Sequence, residues 1–182
     1  MRLEADVYPV MKYNFAENPQ IENKLHKIDI DQIDRKMLTF LQQNGRVSNL
    51  ELAQAVNLSA PQCHRRHRRL EEAGFIVRYE TRLNPASLGL FVIAFVHVSM
   101  EKGHINDLSG FKNAINEWPQ ILECYSVTGD FDYVLKVTAH DLKELSDFLM
   151  EKLMRMRGVS GVRSSVCLDE IKSTNMLPLP PA

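Results

Sequence analysis

An arginine-rich stretch from Ser59 to Arg69 holds the side chains of this 182-residue chain that are best suited to ligand chemistry. It contains four arginines and no acidic residue. If the stretch is helical, at about 100° per residue, then Cys63, His67 and Leu70 share one face and a polar cluster occupies another. The polar cluster comprises Gln62, Arg65, Arg66 and Arg69.

These side chains match the edges of DNA bases. A guanidinium group pairs with guanine O6 and N7, a glutamine amide pairs with adenine N6 and N7, and the remaining guanidinium groups can bind phosphate. The pattern therefore indicates a helix that enters the major groove of double-stranded DNA. The alternative for the arginines alone is a solvated basic face on a surface helix, which is what most charge runs are.

The neighbouring residues favour DNA. Ser48 with Glu51, and Ser59 with Gln62, form two capping boxes, each of which marks the start of a helix. Gly74 ends the second helix at the C′ position. The sequence thus predicts a helix-turn-helix, and the candidate DNA contacts are Ser48, Asn49, Ser59, Gln62, Arg65, Arg66 and Arg69.

A further helix precedes this pair. Apolar residues recur at helical spacing over 30–41, Asp29 or Asp31 can cap the helix, and Asn44-Gly45 ends it. Three helices are therefore expected within 29–73.

In the segment from Phe75 to Leu83, apolar and polar residues alternate and β-branched and aromatic residues are frequent, which predicts a strand or wing. The expectation is a winged helix-turn-helix domain at 29–83, with an N-terminal arm at 1–28 and a linker at 84–90.

The C-terminal part has a different pattern. Strands are predicted at 90–100, 121–127, 133–139 and 162–168, and helical spacing at 105–115 and 142–153. The order β-α-β-β-α-β, with right-handed crossovers, gives a ferredoxin-like antiparallel sheet with both helices on one face. We assign 91–171 to this domain and 172–182 to a tail, so the fold class is α+β.

The other sheet face has no helix to cover it, and self-association is expected there. It is lined by residues such as Val92, Ala94, Val96 and Val98 or their neighbours. His97 is interpreted as a satisfied interface histidine.

Charge and composition exclude several classes of protein. The net charge is −1, but residues 29–89 carry nine Lys/Arg against seven Asp/Glu, whereas residues 90–182 carry nine against twelve. Positive charge is therefore concentrated in the part that contains the predicted DNA-binding helices.

No apolar run approaches the ~18 residues of a membrane span, and the N-terminus lacks the basic-then-apolar order of a signal peptide. Three cysteines without a C-x-x-C motif suit the cytoplasm. Cys63 and His67 lack a second ligand pair, so no metal site is expected, and no catalytic group or cofactor motif indicates an enzyme.

The residues resemble those of the Lrp/AsnC family of bacterial and archaeal transcriptional regulators. The resemblance covers about residues 29–178. It is carried by Ile33-Asp34-Arg35, Gly45-Arg46-Val47-Ser48, Leu58-Ser59, Arg68-Arg69-Leu70-Glu71, Gly74-Phe75-Ile76, Leu83-Asn84-Pro85, Thr128-Gly129-Asp130-Phe131-Asp132-Tyr133 and Gly158-Val159.

The resemblance implies homodimers formed through the ferredoxin-like domain, commonly assembled into octamers as a tetramer of dimers. It also implies an amino acid effector bound at subunit interfaces near the hairpin. A glycine lets a ligand approach the backbone, and an aspartate can pair with an α-ammonium group, although a plain polar turn would look the same. The candidate effector residues are Gly129, Asp130, Asp132, Ser164 and Ser165.

Two features bear on which amino acid binds. Leucine-responsive members carry an aromatic residue at the position matched by Ser165, which speaks against leucine. The tail Lys172 to Pro178 is similar to that of cysteine-responsive members, so cysteine is a hypothesis.

The predicted function is an amino-acid-responsive, sequence-specific DNA-binding transcriptional regulator of the cytoplasm. Two alternatives stay open: an architectural DNA-compacting protein without an effector, and an amino acid sensor bound to a metabolic enzyme.

Overall fold

A computed structural model describes residues 29–101 and 108–179 and divides into two compact units. Among the described residues, the first unit comprises 29–82 together with 172–179, and the second comprises Leu83–Ile171. The predicted N-terminal arm at 1–28 lies outside the described residues. The described part of the predicted tail, 172–179, groups with the first unit.

The first unit contains the three predicted helices, α1 (Gln32–Gln43), α2 (Asn49–Ala55) and α3 (Ala60–Glu72). Asp31, rather than Asp29, caps α1, since its Oδ1 accepts a hydrogen bond from the Asp34 amide at 2.9 Å. These three starts place α2 and α3 in the helix-turn-helix arrangement that the sequence predicts.

Both ends of α3 follow the sequence signals. At its start, Gln62 Oε1 accepts hydrogen bonds from the Ser59 hydroxyl at 2.9 Å and the Ser59 amide at 3.4 Å. At its end, Gly74 adopts φ +79°, and the Phe75 amide bonds back to the Leu70 carbonyl at 3.0 Å. This left-handed glycine closes the helix and fixes its length.

The core of the first unit joins all three helices and receives the tail. Leu179 packs against the buried cluster, and Gln42 of α1 bonds both the amide and the carbonyl of Leu177, at 2.6 and 3.3 Å. Residues 172–179 therefore dock on the helix-turn-helix unit. The buried residues are Met37, Leu38, Leu41, Leu52, Ala53, Val56, Cys63 and Leu70.

The strand predicted for residues 75–83 is not formed. A strand needs a hydrogen-bonding neighbour, and the four-stranded sheet of the second unit is the only sheet in the described part of the chain. The segment nevertheless occupies the position of a wing after α3.

The second unit has the predicted ferredoxin-like order. The elements are a 3₁₀ turn (Ala86–Leu88), β1 (Val92–Met100), α4 (Leu108–Glu117), β2 (Ile121–Ser126), β3 (Tyr133–Ala139), α5 (Leu142–Asp147, continued by wider turns over Phe148–Leu153) and β4 (Val159–Val166). The strands form an antiparallel sheet in the order β2-β3-β1-β4.

The two faces of this sheet differ. Alternate β1 residues, from Val92 to Val98, are buried in one cluster with Phe111 of α4 and Leu153. The face without helices consequently carries their neighbours, including Phe95 and His97, because side chains alternate along a strand. The sequence predicted an open face and left two sets of β1 residues as candidates for it; the structure places the neighbours of the buried set there.

Candidate nucleic-acid interface and effector site

The outward face of α3 is defined by the residues opposite its buried anchors. Cys63 and Leu70 are fully buried, and burial raises the pKa of the Cys63 thiol. The exposed residues of the helix include Pro61, Gln62, His64, Arg65 and Arg68. A surface that begins at the N-terminal turns of the second helix is the one that a helix-turn-helix offers to the major groove.

Two of the predicted DNA contacts are engaged within the protein. Arg66 Nη1 lies 2.9 Å from Asp34 Oδ1 and 2.7 Å from Asp31 Oδ2, and Arg69 also pairs with Asp34. Hydrogen bonds to Asp31 and then Asp34 raise the pKa of the Arg66 guanidinium. Because the Asp34 side chain is fully buried, it requires these cations as partners. The predicted cluster of three arginines is thus divided: Arg66 and Arg69 pair with Asp34 on α1, although the Arg69 side chain stays 43% exposed, and Arg65 faces outward.

A basic hollow of about 490 Å³ runs along this side of the helix. Arg68, which sequence reasoning left out, forms an exposed ion pair with Glu72 at 2.7 Å. Exposed pairs of this kind are weak and exchange readily for another anion. The hollow suits a phosphate group, and it is lined by Arg65, Arg66, Arg68, Arg69 and Glu72.

The start of α2 contributes two of the predicted contacts in different ways. The Ser48 hydroxyl donates to Glu51 Oε2 at 2.7 Å, and this bond lowers the pKa of the Glu51 carboxyl. The Asn49 amide nitrogen lies 2.9 Å from His64 Nδ1 on α3. Ser48 therefore serves the cap, whereas Asn49 links the two helices at the surface.

His67 is part of a polar network on the other side of α3. Its Nε2 lies 2.5 Å from the Tyr79 hydroxyl, and its Nδ1 lies 3.4 Å from Asn49 Oδ1. The Tyr79 hydroxyl also contacts Glu71 Oε1 at 3.1 Å. Burial, followed by this carboxylate, raises the pKa of Tyr79 to about 12. The network holds the segment after α3 against the helix-turn-helix.

Sequence reasoning missed His64 and Arg68, although a signal for Arg68 was present. On the helical wheel, the direction opposite Cys63 and Leu70 passes through Pro61, Arg65 and Arg68. The prediction favoured the side with the most polar residues, part of which instead packs against α1.

The hairpin in the second unit contains three of the candidate effector residues. Gly129 adopts φ +118°, and no atom lies within 4 Å of the position that a Cβ would occupy, so its backbone is open to a ligand. Asp130 is exposed. Asp132 Oδ2 instead accepts a hydrogen bond from the Met100 amide at 2.7 Å, beside a bulge in β1. Both carboxylates are exposed, but Asp132 fixes the hairpin to β1 through the Met100 amide.

Ser164 and Ser165 are not brought together. In the β1–β4 pairing, Ser164 lies opposite the buried Val96, whereas Ser165 lies opposite Phe95 on the open face. Paired residues of an antiparallel ladder share a face. Only Ser165 is therefore on the open face.

An aromatic and cationic group accompanies Ser165 there. The His97 and Phe131 rings lie 4.9 Å apart, and Arg163 Cζ lies 5.8 Å from the Phe131 centroid. His97 Nδ1 is buried and has no hydrogen-bond partner among the residues that the structure describes. The prediction of a satisfied histidine is therefore not met within a single chain.

Within the described ranges, no group of three or more His, Cys, Asp or Glu side chains could hold a metal ion. No helix in the same ranges has the length and apolar character needed to cross a membrane.

Comparison with protein families yields a match to each unit. Residues 30–77 match a winged helix-turn-helix DNA-binding model, and residues 93–177 match the Lrp/AsnC ligand binding domain.

Individual relatives agree over most of the chain. The leucine-responsive regulatory protein of Escherichia coli K12 is 40% identical over 149 residues, which is 82% of this chain and 91% of the relative. A Neisseria meningitidis transcriptional regulator, solved as a complex with L-methionine, superimposes with a TM-score of 0.80 at 38% identity, covering 82% of this chain and 97% of that one. An AsnC family transcriptional regulator from Agrobacterium tumefaciens gives a TM-score of 0.77 at 32% identity, with the same coverage of each chain.

Proposed function

Because the chain belongs to the Lrp/AsnC family of transcriptional regulators, we propose that its first unit reads double-stranded DNA through the outward face of α3 and that its second unit senses an amino acid at the hairpin. The observation that carries the first part is the division of the arginines. Arg65 and Arg68 are available to DNA, while Asp34 holds Arg66 and Arg69.

In this arrangement the exposed residues take distinct roles. Arg65 faces the base edges, where a bidentate guanidinium contact selects guanine. Gln62 offers its amide N–H donors beside it, because Ser59 occupies its Oε1. Arg68 exchanges Glu72 for a phosphate, and Arg66 and Arg69 add positive charge to the hollow from their positions on Asp34. Ser48 and Ser59 act by capping the two helices, so that their amides and dipoles are directed at the DNA backbone.

The test is fluorescence anisotropy of the full chain with the DNA upstream of its own gene, at fixed salt and with unrelated competitor DNA. Arg65→Ala should reduce the preference for the upstream DNA over unrelated competitor DNA. Arg68→Ala should weaken binding to all sequences and reduce the salt slope by about 1. Arg155→Ala is the matched control, because Arg155 forms the same type of i,i+4 ion pair, with Glu151, in the second unit. An undiminished preference in Arg65→Ala would refute the docking face, and binding without sequence preference by the unmodified chain would indicate an architectural protein.

The effector proposal rests on the open backbone at Gly129 and the exposed Asp130. The amides of the turn would hold the α-carboxylate, and Asp130 would pair with the α-ammonium group. L-methionine, seen in the Neisseria complex, L-leucine, named for the Escherichia coli relative, and L-cysteine are the three effectors to compare.

Isothermal titration calorimetry with each of these three amino acids tests the site. Asp130→Asn should remove most of the heat, whereas Asp147→Asn, an exposed carboxylate paired with Lys143 on α5, should leave it unchanged. Asp132→Asn keeps an oxygen for the Met100 amide, so it should bind nearly as well as the unmodified chain. Equal heats for all four proteins would exclude the hairpin as the effector site. No heat with cysteine would exclude cysteine as the effector.

We also propose a cytoplasmic homodimer through the open sheet face, assembling further into an octamer. Phe95 is 43% exposed at the centre of that face and lies beside Ser165. Burying such a side chain removes a large apolar area from water. Light scattering of the Phe95→Asp variant should report monomers, with Leu142→Asp, an exposed apolar position on α5, as the control. A Phe95→Asp protein of unchanged mass would contradict this interface.

A further inference from the structure

The strongest feature that the proposed function leaves unused is the pair formed by Asn49 and His64 at the surface of the helix-turn-helix. His64 is exposed on α3, three residues after Pro61 and four before Arg68, on the same stripe of the helix. The pair therefore lies at the edge of the face that the proposed docking presents to DNA. Since that face is part of the proposal above, the present inference rests on it.

Hydrogen-bond accounting fixes the proton on the His64 ring. The Asn49 Nδ2 atom, 2.9 Å from His64 Nδ1, is an amide nitrogen that only donates. His64 Nδ1 must consequently accept, and the single proton of the neutral ring resides on Nε2. The ring then directs one N–H donor away from Asn49.

The orientation of Asn49 is itself held from behind. Its Oδ1 faces His67 Nδ1 at 3.4 Å, and a carbonyl oxygen only accepts, so His67 Nδ1 carries a proton. His67 in turn lies 2.5 Å from the Tyr79 hydroxyl. This arrangement of His67 and Asn49 requires the Tyr79 hydroxyl to donate to His67 Nε2, which accepts when the single proton of the neutral ring is on Nδ1. Asn49 thus acts on His64 as a positioning residue.

An N–H donor in the major groove requires an acceptor on a base. Both purines present N7 there and thymine presents O4 beside its C5-methyl group, whereas cytosine presents only the donor N4–H₂. N7 is the acceptor that two of the four bases share. We propose that His64 is a specificity-determining residue that donates from Nε2 to the N7 of a purine at one position of the operator, with Asn49 fixing the tautomer. Arg65, the next residue, contacts a separate base in the proposed docking.

The tautomer can be tested without DNA. Nitrogen-15 NMR of the imidazole rings in the full chain should show His64 with a protonated Nε2 and a bare Nδ1. The Asn49→Ala variant, in which the donor is lost, should show exchange between the two tautomers. A protonated Nδ1 in the unmodified protein would overturn the inference even if DNA binding were normal.

The contact is tested by replacing each operator purine in turn with its 7-deaza analogue, which lacks the N7 acceptor. For the unmodified chain, one position should lose about fivefold in affinity, the value of a single neutral hydrogen bond. His64→Ala should lose a similar factor on normal DNA and nothing further on the 7-deaza DNA at that position. Arg65→Ala is the matched control, because it removes a different base contact. Its affinity for normal DNA should be lower, but the 7-deaza analogue at the His64 position should still weaken its binding by the same factor.

These outcomes separate the inference from the proposed function. If the unmodified chain binds its DNA specifically but His64→Ala keeps every 7-deaza effect, the His64 contact is refuted and the docking face stands. Relaxation of a thymine preference by His64→Ala would refute the assignment to a purine. If the unmodified chain binds no DNA, the proposed function fails, while the NMR result still decides the tautomer.

Discussion

Asp34 on α1 and Arg66 on α3 form an ion pair at 2.9 Å in which the carboxylate is fully buried and the guanidinium is about one quarter exposed. Asp34 also pairs with Arg69, and its other partner is the Asp31 amide. One acidic side chain of the first helix therefore decides which cations of α3 face outward. The pair links the folding of the first unit to the composition of its DNA surface.

Replacing this carboxylate should destabilise the first unit. In Asp34→Asn the two guanidinium groups lose their charged partner. Because both stay partly exposed to solvent, we expect a loss of about 2 kcal/mol, that of a charge-assisted hydrogen bond. Urea unfolding followed by helical circular dichroism should show a transition at lower urea concentration. Trp118 is the only tryptophan and lies in the second unit, so its fluorescence transition should remain in place. Arg155→Ala serves as the surface control, and a shift of the tryptophan transition alone would contradict the assignment.

The end of α3 provides a backbone test. Gly74 has φ +79°, and no atom lies within 4 Å of the position that a Cβ would occupy. Gly74→Ala therefore meets no steric neighbour, and its cost comes from the left-handed backbone, about 1 kcal/mol. Gly45 has equal space but no positive φ, so Gly45→Ala should change the free energy of unfolding by less than about 0.5 kcal/mol. Equal losses of stability for the two substitutions in chemical denaturation would show that the positive φ of Gly74 is not the cause.

The α1 cap predicts a pH dependence. The hydrogen bond from the Asp34 amide, assisted by Arg66, lowers the pKa of the Asp31 carboxyl below its ordinary value of 3.8. A folded-state pKa below the unfolded one contributes stability above the unfolded value, and this contribution is lost as the pH falls through the folded value. The unmodified chain should thus exceed Asp31→Asn in stability at pH 6, and the difference should shrink at pH 3. A stability difference that grew on acidification would contradict the lowered pKa of Asp31.

Local signals in the sequence were sufficient for the fold. The capping boxes at Ser48 and Ser59, the stop at Gly74 and the alternating strands each depend on neighbours within a few residues. These features predicted the helix-turn-helix and the βαββαβ order, which the structure confirms.

Other features depend on contacts between residues that are distant in the chain. The pairing of Arg66 and Arg69 with Asp34 could not be predicted, because Asp34 lies more than thirty residues earlier and no local pattern shows that it is buried beside them. Ser164 and Ser165 are adjacent in the chain, but the pleat places them on opposite faces of the strand. The strand at 75–83 was predicted from residue types, but strand formation requires a partner that composition cannot supply.

The docked tail provides the last prediction. Gln42 uses both its amide oxygen and its amide nitrogen on the backbone of Leu177, an arrangement that only an amide side chain completes. In Gln42→Met the side-chain volume is kept while both bonds are lost, which should weaken the docking of residues 172–179 and speed amide hydrogen exchange at Leu177. Gln43, the next residue on α1, has the same chemistry at a different point of the helix, so Gln43→Met should leave the exchange at Leu177 unchanged. Slow exchange in Gln42→Met would mean that the packing of Leu179 alone holds the tail to the helix-turn-helix unit.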